Sequence, residues 1–143
     1  MTIVWRDQMS VGNHLVDIDH RLLICMINSV EFALQSPGDE MVRLEFSLDE
    51  LEEYTDVHFD REERLQLKIG YAGYGDHKLL HRSLVDRLKE IRLSILKIGD
   101  PLQLGRESPR LAELLRDWLL VHVLLEDMKM KTVFLKHPFN LAP

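Results

Sequence analysis

Histidines and carboxylates at helical spacing are the residues of this sequence best suited to chemistry. His58 precedes Glu62 by four positions, and His77 precedes His81 by the same interval. Residues four apart share one face of an α-helix, so each pair can present two donor atoms in the same direction. Imidazole nitrogen and carboxylate oxygen are common ligands of divalent metal ions. Either pair alone is a weak indication of a metal site.

These donors also fall on the apolar stripes of the segments that carry them. The helical stripe 44, 48, 51, 55, 58, 62, 65, 69 is mostly apolar, yet it contains His58 and Glu62. Corresponding stripes in the other segments contain further inward histidines, namely His20, His77, His81 and His122. Buried polar groups without partners are costly. One inward histidine is readily satisfied by a core hydrogen bond, but five of them favour a shared metal centre.

Four segments with helical periodicity must position these side chains. They cover about 17–35, 40–69, 77–98 and 109–133, and runs rich in glycine and proline separate them. Asp39 is expected to cap the second helix, and Gly70 is expected to end it. Ser108 followed by Pro109 has the pattern of a cap and a first-turn proline, which predicts the start of the fourth helix.

Four amphipathic helices with short links predict an all-α fold, an up-down-up-down four-helix bundle. We expect a single domain over residues 1–143. It consists of an N-terminal arm over 1–16, the bundle over about 17–133 and an irregular tail over 134–143.

The fourth segment offers two carboxylates near His122. Glu126 follows His122 by four positions and Asp127 by five. At about 100° per residue, Asp127 lies about 140° around a regular helix from His122. It can face the same site only if the helix is locally widened, and wide turns are frequent at functional sites. Periodicity favours Glu126 but leaves both candidates open.

Composition restricts the classes of function. The 143 residues carry a net charge of −6, which argues against nucleic acid or an anionic membrane as the main partner. The single cysteine excludes an intramolecular disulfide. The first residues lack the pattern of a signal peptide, and no apolar run approaches the ~20 residues of a membrane span. We therefore expect a cytoplasmic protein. The acidic surface favours a monomer, although self-association through a bundle face stays open.

With these motifs the chain resembles the hemerythrins, most closely the bacterial ones. The resemblance covers about residues 5–130, and its ordered pattern H…HxxxE…HxxxH…HxxxxD is highly specific. Further matching positions are Trp5, Gly12, Asp17, Tyr54, Gly70 and Trp118. One departure is Asp19, which precedes His20 where the family usually has Gln. A carboxylate there would alter hydrogen bonding around the metal ligands.

The resemblance implies a non-haem di-iron centre with an oxo or hydroxo bridge. One iron would be held by His77, His81 and His122, and the other by His20 and His58. Glu62 and Asp127 would bridge the two irons. The family thus favours Asp127 over Glu126, and we predict a widened turn near His122.

The function implied by the resemblance is reversible dioxygen binding, for oxygen storage, delivery or transport. The two-histidine iron would keep one open position for dioxygen. Trp118 and Leu124 are the expected walls of an apolar ligand pocket around it. Two alternatives stay open: an oxygen or redox sensor, and a di-iron enzyme that removes peroxide or nitric oxide. No catalytic acid or base beyond the ligands is evident, unless Asp19 or Glu63 serves. The sequence does not identify a protein partner.

Overall fold

The computed structural model describes residues 2–35 and 41–143. Within these residues the architecture is all-α, as predicted, and contains no strand. Helix α1 packs against α2 and α4, and α3 packs against the same two helices, as in an up-down-up-down four-helix bundle. The four long helices are α1 His14–Gln35, α2 Met41–Ile69, α3 Tyr74–Leu96 and α4 Pro101–Val121.

Helix α1 begins at His14, slightly before the predicted start, because Asn13 caps it. The Asn13 side-chain oxygen accepts hydrogen bonds from the backbone N–H groups of Leu15 and Val16, at 3.1 and 3.2 Å. The predicted end of α2 at Gly70 is confirmed, since a φ of +66° suits only glycine comfortably. The predicted Asp39 cap and the link before it lie outside the described residues.

The predicted start of the fourth helix at Pro109 is wrong. Helix α4 begins at Pro101, and the Asp100 side chain accepts a hydrogen bond from the Leu102 N–H at 3.0 Å. Pro109 lies inside the helix and has no N–H to donate to the carbonyl of Gly105, four residues earlier. The Ser108 hydroxyl donates to that carbonyl at 3.0 Å instead. The Ser-Pro pair therefore continues a helix that it was expected to begin.

The chain changes its helical geometry after α4. Residues His122–Glu126 form a π-helical turn, Asp127–Met130 form a 3-10 turn, and a short helix α5 covers Lys131–Phe134. The residues beyond α5 are irregular, as predicted for the tail, and fold back on the start of α1. There the His14 N–H donates to the Phe139 carbonyl at 2.8 Å.

Two apolar clusters fill the bundle, and the polar stripe residues lie between them. The larger cluster contains Leu23 of α1, Leu51 of α2 and Trp118 of α4. The smaller cluster lies at the other end and consists of Val11, Val16, Leu65, Ile69, Met130 and Phe134. None of the described helices is both long and apolar enough to cross a membrane.

Candidate metal centre

Seven donor side chains from four helical elements meet in the polar layer between the two apolar clusters. Helix α1 contributes one, α2 two, α3 two, and the region after α4 two. Each is at least 95% buried. They are the seven predicted from the sequence: His20, His58, Glu62, His77, His81, His122 and Asp127.

The donors divide into two groups of unequal composition. One group has three histidines, His77, His81 and His122, and the other has two, His20 and His58. Both carboxylates, Glu62 and Asp127, belong to both groups. The donor atoms of each group all lie within 4.8 Å of one another. The arrangement therefore offers space for two ions that share two carboxylates.

The distances between donors fit ligands of a common ion. The Nε2 atom of His77 lies 2.8 Å from Glu62 Oε1, that of His122 lies 2.9 Å from Asp127 Oδ1, and that of His20 lies 3.1 Å from Asp127 Oδ2. Two ligands at about 2.1 Å from one ion, at right angles, are about 3.0 Å apart. The donor atoms are therefore spaced as ligands of one small cation would be.

Unpaired donor atoms provide the test of this fit. The Nε2 atoms of His20, His81 and His122 are buried and have no hydrogen bond of acceptable geometry within the described chain. The same holds for Glu62 Oε2 and for both carboxylate oxygens of Asp127. Buried polar atoms are rarely left in this state, because each one costs stability. A metal pair would satisfy all of them, so the donor set fits such a centre.

The electrostatics of the layer also favour cations. Burial raises the pKa of the Asp127 carboxyl, but attraction to His122 and the close approach of the His122, His20 and His77 rings outweigh it and hold the pKa well below its ordinary value. Burial lowers the pKa of His77, yet Asp127 and Glu62 raise it to about 10. The metal-free layer therefore holds its carboxylates as anions and attracts positive charge.

The π-turn decides which carboxylate near His122 faces the interior. Asp127 is fully buried in the layer, and the predicted widened turn is confirmed at His122–Glu126. Glu126 is 29% exposed and pairs with the Lys129 ammonium at 2.6 Å. The preference of regular spacing for Glu126 therefore does not hold, because the wide turn adds one residue between His122 and the inward position, and the predicted Asp127 takes that position.

Comparison with known proteins bears on the same arrangement. The family model named Hemerythrin, described as the hemerythrin HHE cation binding domain, matches residues 11–134. This chain belongs to the hemerythrin family. A bacteriohemerythrin of Stenotrophomonas maltophilia is 31% identical over 126 residues, which are 87% of this chain and 76% of that protein. A bacteriohemerythrin of Clostridium acetobutylicum is 25% identical over 134 residues, 87% of this chain and 95% of the relative.

This hemerythrin domain surrounds its donors with hydrogen-bond partners that the sequence did not reveal as such. The Gln66 amide donates to Glu62 Oε1 at 3.1 Å, and the Glu63 carboxylate accepts from His81 Nδ1 at 3.0 Å. The Phe59 ring stacks on the His81 ring with centroids 3.8 Å apart. Gln66 continues the i+4 spacing after Glu62, which is the one signal that could have identified it.

Asp19 stands next to His20 in the chain but contacts His58. Its Oδ2 lies 3.4 Å from His58 Nδ1, and its Oδ1 accepts hydrogen bonds from the Tyr54 hydroxyl, at 2.7 Å, and from the Arg61 guanidinium. Burial raises the pKa of Asp19, but these hydrogen bonds outweigh it and leave the pKa below its ordinary value. The carboxylate is therefore an anion inside the domain.

Of the two expected pocket walls, Trp118 is buried beside the three-histidine group, and Leu124 lies at the surface. Trp118 is 7% exposed, and its indole N–H donates to the Leu84 carbonyl at 2.8 Å. It lines a groove of about 410 Å³ that also reaches His122. Leu124 is 41% exposed, so it does not wall an interior pocket. The π-turn directs its neighbour Val123 into the apolar core instead.

Proposed function

We propose that this chain binds dioxygen reversibly at a di-iron centre, for oxygen storage, delivery or transport. One observation carries the proposal: two buried carboxylates are shared by a three-histidine group and a two-histidine group. Five protein donors belong to one group and four to the other, so an ion held by the second group would have more room for an external ligand. An open position distinguishes a working metal site from a closed structural one.

The proposed ligands follow from this grouping. His77, His81 and His122 would hold one iron, His20 and His58 the other, and Glu62 and Asp127 both. Imidazole and carboxylate together suit iron, and membership of the hemerythrin HHE cation binding domain supports that metal. An iron pair held by these residues would supply the reversible two-electron chemistry that binding and release of dioxygen require.

The protein's own contribution is to position the donors and to exclude water. The Phe59 ring lies 3.8 Å from the His81 ring, 5.4 Å from the His58 ring and 5.8 Å from the His122 ring, measured between centroids. An apolar ring among the ligands limits access of water and protons, which would otherwise drive the loss of reduced oxygen species. We propose that Trp118 adds a further apolar wall beside His122.

We further propose that the protein works as a cytoplasmic monomer. The single cysteine, which is exposed, fits a reducing compartment. The net charge of −6 keeps copies of the chain apart in solution.

The test combines iron content with an optical titration. The purified protein is assayed for iron, reduced without air, exposed to oxygen and then freed of it again. We expect two irons per chain and a visible charge-transfer band that appears with oxygen and fades on its removal through repeated cycles. His14→Ala is the matched control, because His14 is an exposed histidine outside the centre.

Two results would redirect the proposal. Two irons that oxidise at once without an oxygenated form would favour a redox sensor or a peroxide or nitric oxide scavenger. Rapid turnover of added peroxide would select the scavenging enzyme between these two.

A further inference from the structure

Two carboxylates outside the proposed ligand set face the outer nitrogens of two histidines. Asp19 Oδ2 lies 3.4 Å from His58 Nδ1, and Glu63 Oε1 lies 3.0 Å from His81 Nδ1. Each carboxylate also pairs with a cation, Asp19 with Arg61 and Glu63 with Lys78. Each of the two donor groups therefore has one histidine backed by a carboxylate and a cation.

The two units differ in their exposure to water. The Asp19 side chain is fully buried, whereas that of Glu63 is 16% exposed. Asp19 additionally accepts the Tyr54 hydroxyl at 2.7 Å. Three donors thus surround one buried anion, and water screens it less than it screens Glu63.

We propose that Asp19 is a positioning residue that orients the His58 ring towards the centre and lowers the reduction potential of the iron beside His20 and His58. The inference rests on the proposed di-iron site. A carboxylate that accepts from the outer ring nitrogen fixes the tautomer, leaving the inner nitrogen free to bind metal, and it makes that nitrogen more basic. A more basic ligand stabilises the ferric over the ferrous state.

The geometry restricts this effect to one half of the centre. Asp19 approaches His58 of the two-histidine group, where the proposed open position lies. Arg61 and Tyr54 hold Asp19 from the side of solvent, since the Arg61 side chain is 31% exposed. These two residues therefore set the orientation of Asp19 through hydrogen bonds to its carboxylate.

The decisive variant is Asp19→Asn, which removes the charge and retains the size. Midpoint potentials of the iron-loaded protein are measured by an optical redox titration, and ferrous ion affinity by competition with a chelator without air. We expect a raised midpoint potential and about tenfold or more weaker ferrous ion binding, the usual cost of losing such a partner. Because a higher potential makes the ferrous state harder to oxidise, we also expect slower autoxidation of reduced Asp19→Asn.

Two further variants separate the proposal from general damage. Asp60→Asn lies on the same helix with its side chain 72% exposed, and it is expected to change neither quantity. Tyr54→Phe removes one of the hydrogen bonds that hold Asp19, and it is expected to shift the potential by less than Asp19→Asn does. Tyr54→Phe still tests the inference if thermal unfolding of the metal-free protein shows that Asp19→Asn does not fold.

Unchanged potential and affinity in Asp19→Asn, or in Tyr54→Phe if the former fails to fold, would overturn the inference. Glu63 backs a histidine of the other group from a more exposed position, so an equal or larger shift in Glu63→Gln would contradict the stronger effect inferred for the buried Asp19. If the wild-type protein holds two irons but does not release oxygen, the proposed function is wrong. The comparison of Asp19→Asn with the wild type then still tests the role of Asp19. A wild-type protein that holds no iron overturns both.

Discussion

Glu62 has a different position from every histidine in the centre, because both donor groups include it. Its two oxygens have different surroundings. Oε1 lies 2.8 Å from His77 Nε2 and accepts from the Gln66 amide, while Oε2 has no hydrogen bond within the described chain. A residue shared in this way affects both ions, whereas a histidine affects one.

We therefore expect Glu62→Ala to lose both irons and His81→Ala to lose chiefly the iron of the three-histidine group. The loss of affinity in Glu62→Ala should exceed the about 10- to 100-fold that accompanies removal of an outer hydrogen-bond partner. Iron per chain, measured after reconstitution and desalting, distinguishes the two variants. Asp60→Ala serves as the control on the same helix, and two irons retained in Glu62→Ala would refute the shared role.

At the scale of single residues, the sequence predicted the donor side chains well but not the residues that contact them. The donors interrupt regular apolar stripes, so periodicity alone identifies His58 and Glu62 as inward. Glu63 and Asp19 meet their histidines across helix pairs, and no local pattern reports such contacts. Leu124 was placed wrongly because its direction depends on the turn geometry, which residue type does not specify.

Among the elements, the π-turn after α4 has the clearest effect on the centre. It places Asp127 in the buried layer and leaves Glu126 at the surface, beside Lys129. In a regular helix Glu126 would face the interior with His122, and Asp127 would not, because residues four apart share a face. The two adjacent carboxylates therefore provide a matched pair for testing the turn.

We expect Asp127→Ala to lose bound iron and Glu126→Ala to keep two irons per chain. Glu126 cannot replace Asp127, since the turn directs it outward. Iron assays and the optical spectrum of both reconstituted variants provide the measurement. Iron loss in Glu126→Ala, with retention in Asp127→Ala, would show that the helix is regular in solution.

Helix α4 tolerates an internal proline because Ser108 compensates for it. Ser108→Ala should lower the free energy of unfolding by about 1–3 kcal/mol, because the Gly105 carbonyl loses its donor. The cost should shrink in a Pro109→Ala background, where the backbone N–H of residue 109 can donate to Gly105. Denaturant unfolding of the metal-free variants measures this coupling. Ser94→Ala is the control, since its exposed hydroxyl bonds a carbonyl within a regular helix; equal costs in both backgrounds would contradict the compensation.

The misplaced start of α4 shows a limit of local signals. Ser-Pro is a common beginning of a helix, and Gly99, Pro101 and Gly105 resemble a long loop. The packing of Leu104 and Ser108 in the interior overrides these signals. The other helices lack such internal breakers, so their periodicity predicted them to within a few residues.

Across the whole molecule, the centre forms a polar layer between a large and a small apolar cluster. Val16, Leu65 and Met130 of the small cluster each lie within about one turn of a donor on the same stretch of chain. The tail covers this end, where the Lys68 ammonium donates to the Ala142 carbonyl at 2.7 Å and the Asn13 amide to that of Leu141 at 3.0 Å. The small cluster has six buried members among the described residues, so we expect its packing to depend on the polar layer beside it.

Removing the metal should therefore increase local opening more at the small-cluster end than in the rest of the domain. Without ions, several donor atoms are buried and unpaired, and repulsion between Glu62 and Asp127 is no longer neutralised. An ion present at 100 times its Kd stabilises the folded state by about 2.7 kcal/mol, which lowers the population of the globally opened state about 100-fold. Hydrogen exchange followed by mass spectrometry, with and without iron, should show the largest gain in exchange over residues 11–16, 65–71 and 127–134. Residues 104–115 of α4 pack in the large cluster and provide the internal reference. A uniform gain along the chain would mean that the domain opens as one unit and that the layer does not separate two regions of different stability.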